Sequence, residues 1–227
     1  MYIENKEADT VVSSDQHRIR QIRFLTDSAF VIRFDRGNMQ FKAGQHIIVG
    51  LKGMLNQREY SIYSGEKDDY LEILVREVID GNVSVQLKHC KPGQMLSVNG
   101  PFGSFGPEGF DIYKRKLVFI ASGTGIAPFH SMVRSYDGMD YTLIHGVRFK
   151  NEAYEKDSYD RNRYFLCTSK EKNDVFKGRI TRFLPGFHTD PDMLFLVCGN
   201  SSMIYEAYHI LRDKGIPDEN IISEVYF

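Results

Sequence analysis

Cysteine is scarce in this chain: 3 in 227 residues, at Cys90, Cys167 and Cys198, widely spaced and with no C-x-x-C pair. An odd, scattered set gives no disulfide framework, no zinc site and no four-cysteine iron–sulfur cluster. No metal site is expected. An excess of either charge is also lacking. Lys and Arg number 29 against 30 Asp and Glu, a net charge of −1. A general nucleic-acid binder usually carries a basic excess, so nucleic acid is not an expected partner. Long apolar runs are missing too. The longest, Leu117–Ala121 and Met193–Cys198, have five and six residues, whereas a membrane-spanning helix needs about 20. The opening M-Y-I-E-N-K-E-A-D-T has neither a basic stretch nor an apolar core, so no signal peptide is expected. The expectation is a reduced cytoplasmic protein with no membrane partner.

What is present is an ordinary folded composition, 42% hydrophobic and 26% charged. The length suits one large domain or two of roughly 100 residues each. The chain changes character near its middle. Arg18–Phe24, Ala29–Phe34, His46–Leu51, Glu59–Tyr63, Tyr70–Glu77 and Met95–Asn99 read as short strands rich in β-branched and aromatic residues, punctuated by glycines. One helix, Val83–His89, interrupts them. From Leu117 onward strands and helices alternate. Strands are expected at Leu117–Ala121, Tyr141–His145, Tyr164–Thr168, Met193–Cys198 and Ile221–Tyr226. Helices are expected at Phe129–Tyr136, Glu152–Arg161 and Ser202–Lys214, the last stopped by Gly215. The first half predicts an antiparallel β-barrel or sandwich, the second an α/β parallel sheet covered on both faces. The boundary falls in 110–116, giving domains 1–112 and 113–227.

Three stretches carry chemistry. Gly123-Thr124-Gly125-Ile126-Ala127-Pro128 follows a buried strand and opens a helix. Backbone N–H groups in such a turn can approach a pyrophosphate, and the helix start favours its charge. Pro128 fits where no N–H partner is needed. The G-x-G-x-x-P form departs from the G-x-G-x-x-G of a standard dinucleotide-binding turn, and a tight turn without ligand is the plain alternative. Arg58-Glu59-Tyr60-Ser61-Ile62-Tyr63-Ser64 lies on a strand. Its arginine offers a fork of donors suited to phosphate, and Tyr60, on the same face, could pack on a flat ligand. Read alone, Arg58 is an exposed residue on a solvated face. Gly81-Asn82-Val83-Ser84 opens the lone helix of the first half and is either a second phosphate site or an ordinary helix start.

Taken in order, R-x-Y-S, G-x-x-S, G-P-F-G, G-T-G-x-A-P, C-G and a terminal aromatic resemble the ferredoxin–NADP reductase family from about Arg18 to Phe227. The resemblance implies a β-barrel holding FAD and an α/β domain holding NADPH or NADH. By that likeness Arg58 and Ser84, with Gly81 and Val83 beside it, bind the FAD pyrophosphate. Tyr60 and Ser61 lie against the isoalloxazine ring, and Leu74, Val75 and Arg76 contact flavin and ribityl. Gly123, Thr124, Gly125 and Pro128 line the pyridine-nucleotide site. Ser61, Cys198 and Glu224 resemble the nicotinamide pocket of plant-type members, and Tyr226 the aromatic that covers the flavin, with Phe227 one residue beyond that pattern. Read without the family, Cys198 is a buried core residue ending an apolar strand. Ser169, Lys170 and Arg179, with Arg148, resemble the 2′-phosphate segment of NADPH-dependent members; otherwise they are solvated loop charges. NADPH is favoured over NADH. The implied activity is hydride transfer followed by one-electron delivery to ferredoxin or flavodoxin. The alternative is the flavin reductase component of a multicomponent oxygenase, or a reductase of free flavins. A regulatory subunit without turnover is disfavoured by the intact Ser61, Cys198 and Glu224.

Overall fold

The computed structural model describes residues 15–171 and 176–226. Phe227 lies outside them. The first half holds β1 (Asp15–Phe24), β2 (Ala29–Asp35), β3 (His46–Leu51), β4 (Arg58–Ser61), β5 (Tyr70–Arg76), α1 (Asn82–Lys88) and β6 (Met95–Phe102). The six strands form one antiparallel sheet in the order β4-β3-β6-β1-β2-β5. Ile62 bridges to Ile73, which ties the end of β4 to β5 and brings the two sheet edges together. Alternating residues of these strands, among them Phe30, Ile32, Ile47 and Ile73, are buried inside.

The second half holds β7 (Leu117–Ser122), α2 (Ala127–Ser135), β8 (Tyr141–Val147), β9 (Tyr164–Thr168), β10 (Phe176–Lys177), α3 (Ile180–Phe183), β11 (Leu194–Asn200), α4 (Ser201–Asp213) and β12 (Ile221–Tyr226). Its sheet is parallel, ordered β10-β9-β8-β7-β11-β12. β7 is nearly unbroken apolar sequence because both its faces are covered. The chain leaves β7 toward β8 on one side and returns to β11 on the other. In open α/β sheets, ligands bind outside the strand C-termini at that reversal.

One apolar cluster packs under the sheet on the α2 side and continues into the first half. Phe119, Phe129 and Met132 share it with Val31, Ala43, Tyr63, Leu74 and Phe105. The two halves therefore meet through a common core.

The expected helix over 152–161 is absent. Two single 3-10 turns stand there, Lys150–Glu152 and Lys156–Ser158. Tyr154 and Tyr159 are both buried, at 2% and 4% exposure. Five residues apart, they would point about 140° away from each other on a helix. The chain instead folds back, with Glu155 in the left-handed region at φ 45°. The Glu152 carboxylate, turned onto the N–H groups of Arg148 and Phe149, caps the loop start.

Candidate functional site

Both halves line one open cleft of about 1470 Å³. A single small-molecule site typically measures about 300–1,000 Å³, so there is room for more than one ligand. One wall comes from β4, β5 and α1. Arg58, Tyr60, Ser61, Leu74, Arg76, Gly81, Val83 and Ser84 all line it. Arg58 is exposed, its guanidinium tied, among the described residues, only to its neighbour's carbonyl, Gln57 O, at 2.9 Å. Burial pushes the Tyr60 phenol up to about 12, so it stays neutral. Val75 differs from its neighbours. Strand alternation turns its side chain into the barrel core, fully buried.

At α1, no side chain caps the helix start at Gly81, which leaves first-turn N–H groups for an acceptor from outside. The Ser84 hydroxyl accepts from Val78 N at 3.0 Å and keeps its own proton to donate. A Cβ on Gly81 would meet Ser84 Oγ and Val78 at 3.0 Å, so glycine keeps this cradle open.

The opposite wall is the sheet reversal. Gly123, at φ 56°, and Thr124 line the cleft directly after β7. Gly125 and Pro128 do not line it. Gly125 passes the end of β11 so closely that a Cβ would stand 2.5 Å from Cys198 O. Pro128 is buried in the first turn of α2. These two shape the turn. His145, which sequence reasoning passed over, anchors it from behind. A carbonyl only accepts, so His145 Nε2–H donates to Gly123 O at 2.9 Å and Nδ1 accepts from Tyr164 O–H at 2.8 Å. Burial lowers this imidazole to about 4, which keeps it neutral, and the two hydrogen bonds fix the tautomer.

Farther along the same wall lie Arg148, Ser169, Lys170 and Arg179. The backbone bonds Ser169 N to Val147 O and Lys170 N to Arg148 O, both 3.0 Å, extend the β8–β9 pairing and set Lys170 beside Arg148. Gly178 N bonds Thr168 O and brings Arg179 to the same end.

Between the walls, four residues converge from three strands. Cys198 on β11 pairs in register with Glu224 on β12. Tyr226 O–H donates to Ser61 Oγ at 2.5 Å, and Ser61 Oγ lies 3.4 Å from Glu224 Oε2. Burial, opposed by the Ser61 hydrogen bond, raises the Glu224 carboxyl to about 7. Cys198 is fully buried and its thiol is driven well above the ordinary range, mainly by burial. It therefore remains a thiol and is no nucleophile. Ser61, Glu224 and Tyr226 line the cleft; Cys198 sits just behind them. His46, opposite Ser61 across β3 and β4, also lines it and carried no motif.

The donor set suits two phosphate-bearing ligands. An uncapped helix start with Arg58 faces one end, and a glycine turn followed by Arg148, Lys170 and Arg179 faces the other. A barrel and a doubly wound sheet sharing such a cleft match what the resemblance to ferredoxin–NADP reductases implies: an oxidoreductase that joins a flavin to a pyridine nucleotide.

Residues 13–106 match an oxidoreductase FAD-binding domain and residues 119–208 an oxidoreductase NAD-binding domain. The chain is 31% identical to the flavodoxin/ferredoxin–NADP reductase of Rhodobacter capsulatus over 92% of its own length and 89% of that protein's. It is 26% identical to the toluate 1,2-dioxygenase electron transfer component of Pseudomonas putida, over 93% of this chain and 67% of that one. A ferredoxin NADP+ reductase from Neisseria gonorrhoeae, solved with FAD and NADP bound, shares the fold at TM-score 0.82 and 24% identity, over 94% of this chain and 98% of that one. The chain belongs to the ferredoxin–NADP reductase family. It is an FAD-dependent NAD(P)H oxidoreductase.

Proposed function

We propose that this chain is a ferredoxin (or flavodoxin)–NADP reductase that works with NADPH. The observation that carries the reading is the single cleft joining Arg58 and Ser84 at one end to Arg148, Lys170 and Arg179 at the other, with Ser61, Glu224 and Tyr226 between. Arg58, Ser84 and the start of α1 hold the FAD pyrophosphate. Tyr60, Ser61, Leu74 and Arg76 bound the flavin, and Val75 takes part only through its backbone. The Gly123–Thr124 turn receives the nicotinamide nucleotide, and Ser169, Lys170, Arg179 and Arg148 hold its 2′-phosphate. When bound, the cofactors supply hydride transfer between nicotinamide C4 and flavin N5 and one-electron release.

The chain's own contribution is alignment and proton handling. Ser61 Oγ, positioned by Tyr226, can pass a proton to or from Glu224. A carboxyl near 7 exchanges protons readily at neutral pH. The neutral Cys198 thiol backs Glu224 and Tyr226 with a polarizable side chain and no charge. The three cysteines are all buried and separate, so electrons leave to another carrier and not to a cluster held by this chain's described residues.

The test is anaerobic reduction by NADPH, then mixing with ferredoxin, flavodoxin, an oxygenase component or free flavin. Fast reoxidation by ferredoxin or flavodoxin is the expected result. Fast reoxidation by the oxygenase component alone would replace the reading with that of an oxygenase reductase. For the nucleotide, Lys170→Ala should raise KM for NADPH and leave that for NADH nearly unchanged, since only the 2′-phosphate differs. A wild type that uses NADH more efficiently would refute the NADPH assignment.

A further inference from the structure

The motif R-E-Y-S-I-Y-S has a second half that does not line the cleft. Tyr63 and Ser64 are both fully buried, away from the cleft. We propose that helix α2 grips Tyr63–Ser64 as a rigid spacer, fixing the distance between the flavin-side strand and the nucleotide turn. For its catalytic consequence this rests on the function proposed above.

His130 and Ser131 hold the two carbonyls of that half-motif. The His130 ring stacks on Tyr63 at 3.7 Å between centroids, inclined by 8°. Its Nδ1–H donates to Tyr63 O at 2.7 Å, and Ser131 Oγ donates to Ser64 O at 2.6 Å. Burial lowers the His130 imidazole to about 4, so the ring is neutral and stays a single donor to that carbonyl. One turn on, Ser135 Oγ accepts from Glu66 N at 2.9 Å, and Arg134 Nη2 reaches both Asp68 oxygens at 2.9 Å. Positions 130, 131, 134 and 135 form one helical face, and all four bond across the domain boundary.

The placement gives the contacts a purpose. α2 begins where the nucleotide turn ends, through the 3-10 segment Gly123–Ile126. Tyr63 stands two residues beyond Ser61, and the intervening Ile62 is pinned to Ile73. A path of about two helical turns thus connects the turn to the strand. Apolar packing alone permits sliding, whereas directional hydrogen bonds to carbonyls fix position along the strand. Hydride transfer needs its reacting atoms about 3–3.5 Å apart, and a misplacement of about 1 Å can cost about a hundredfold in rate. His130 and Ser131 are positioning residues, remote from the reacting atoms.

The test uses the FAD-loaded enzyme. The His130→Phe/Ser131→Ala double variant keeps the ring and removes both donors. Stopped-flow reduction at increasing NADPH should show a limiting rate lowered by about tenfold or more, with the nucleotide Kd within about twofold of the parent. His130→Asn, with Ser131 intact, should restore most of the rate. Labels at Leu55→Cys and Tyr205→Cys, both exposed positions, should give a narrow distance distribution in the parent and a broader one in the double variant. An unchanged limiting rate in the folded double variant, or a fall in rate matched by an equal fall in affinity, would overturn the proposal. Should that variant lose FAD, Arg134→Gln is read the same way. An unchanged rate and unchanged label distances would then overturn it. A parent that takes up no FAD and oxidises no NADPH defeats the functional reading, and the label distances still decide the spacer.

Discussion

Single residues decide charge and proton state here. Arg58 is exposed and, among the described residues, bonded only to its neighbour's carbonyl, so its guanidinium can serve a ligand at little structural cost. Arg58→Ala should leave the melting temperature of the FAD-free protein nearly unchanged. It should weaken FAD by roughly ten- to a hundredfold, as loss of charge-assisted hydrogen bonds worth about 1.5–3 kcal/mol predicts; fluorescence titration of the released flavin measures this. Glu224 behaves oppositely. Its carboxyl rises to about 7 in the folded chain from the 4.5 of an ordinary glutamate. Between those values the folded state keeps a proton that the unfolded state has lost. That stabilising contribution is whole below about 4.5 and gone once pH passes 7. Glu224→Gln removes the ionisation, so the melting temperature of the variant relative to wild type should climb from pH 5 to pH 8. A constant difference across that range would show that the carboxyl is not shifted. The residues of R-x-Y-S and the terminal E-V-Y could be picked out from the sequence because their spacing is local. His145, His130 and Ser131 could not, since their partners stand 22 and 67 residues away and nothing in the linear pattern pairs them.

Elements were legible where one periodicity sufficed. The strands of both sheets show alternation or short apolar runs, and α4 shows a clean stop at Gly215. The segment after β8 departs from the expected helix because its polar composition suits one while its two buried tyrosines do not share a helical face. β10 and α3 span two and four residues, too short to leave a period. The Gly123–Ile126 turn offers a test at this scale. Gly125 lets the turn lie against β11, and a methyl group would sit 2.5 Å from Cys198 O. Gly125→Ala must push the turn off the end of β11 and should cost about 1–3 kcal/mol, read as a lowered denaturant midpoint. It should also weaken nucleotide binding while the flavin spectrum stays as in wild type. A variant as stable as the parent would mean the strands yield easily there.

At the scale of the whole molecule, the change of pattern near the middle correctly announced a barrel and an α/β sheet. It did not announce that they share a core, because Val31, Tyr63 and Leu74 read as ordinary barrel residues until α2 is seen to cover them. With that core in common, calorimetry of the FAD-loaded chain should record one cooperative transition; two separated transitions would show independent halves. No helix among the described residues is long and apolar enough to cross a membrane. The common core also bears on anyone who would recombine this chain with a relative. Exchanging the second half alone, to change its nucleotide, transplants one side of a packed surface and leaves the other side cut for the former partner. A working hybrid would have to carry the α2 face and the 63–68 segment as a matched pair, so the natural unit of exchange is cut across the two domains and not between them.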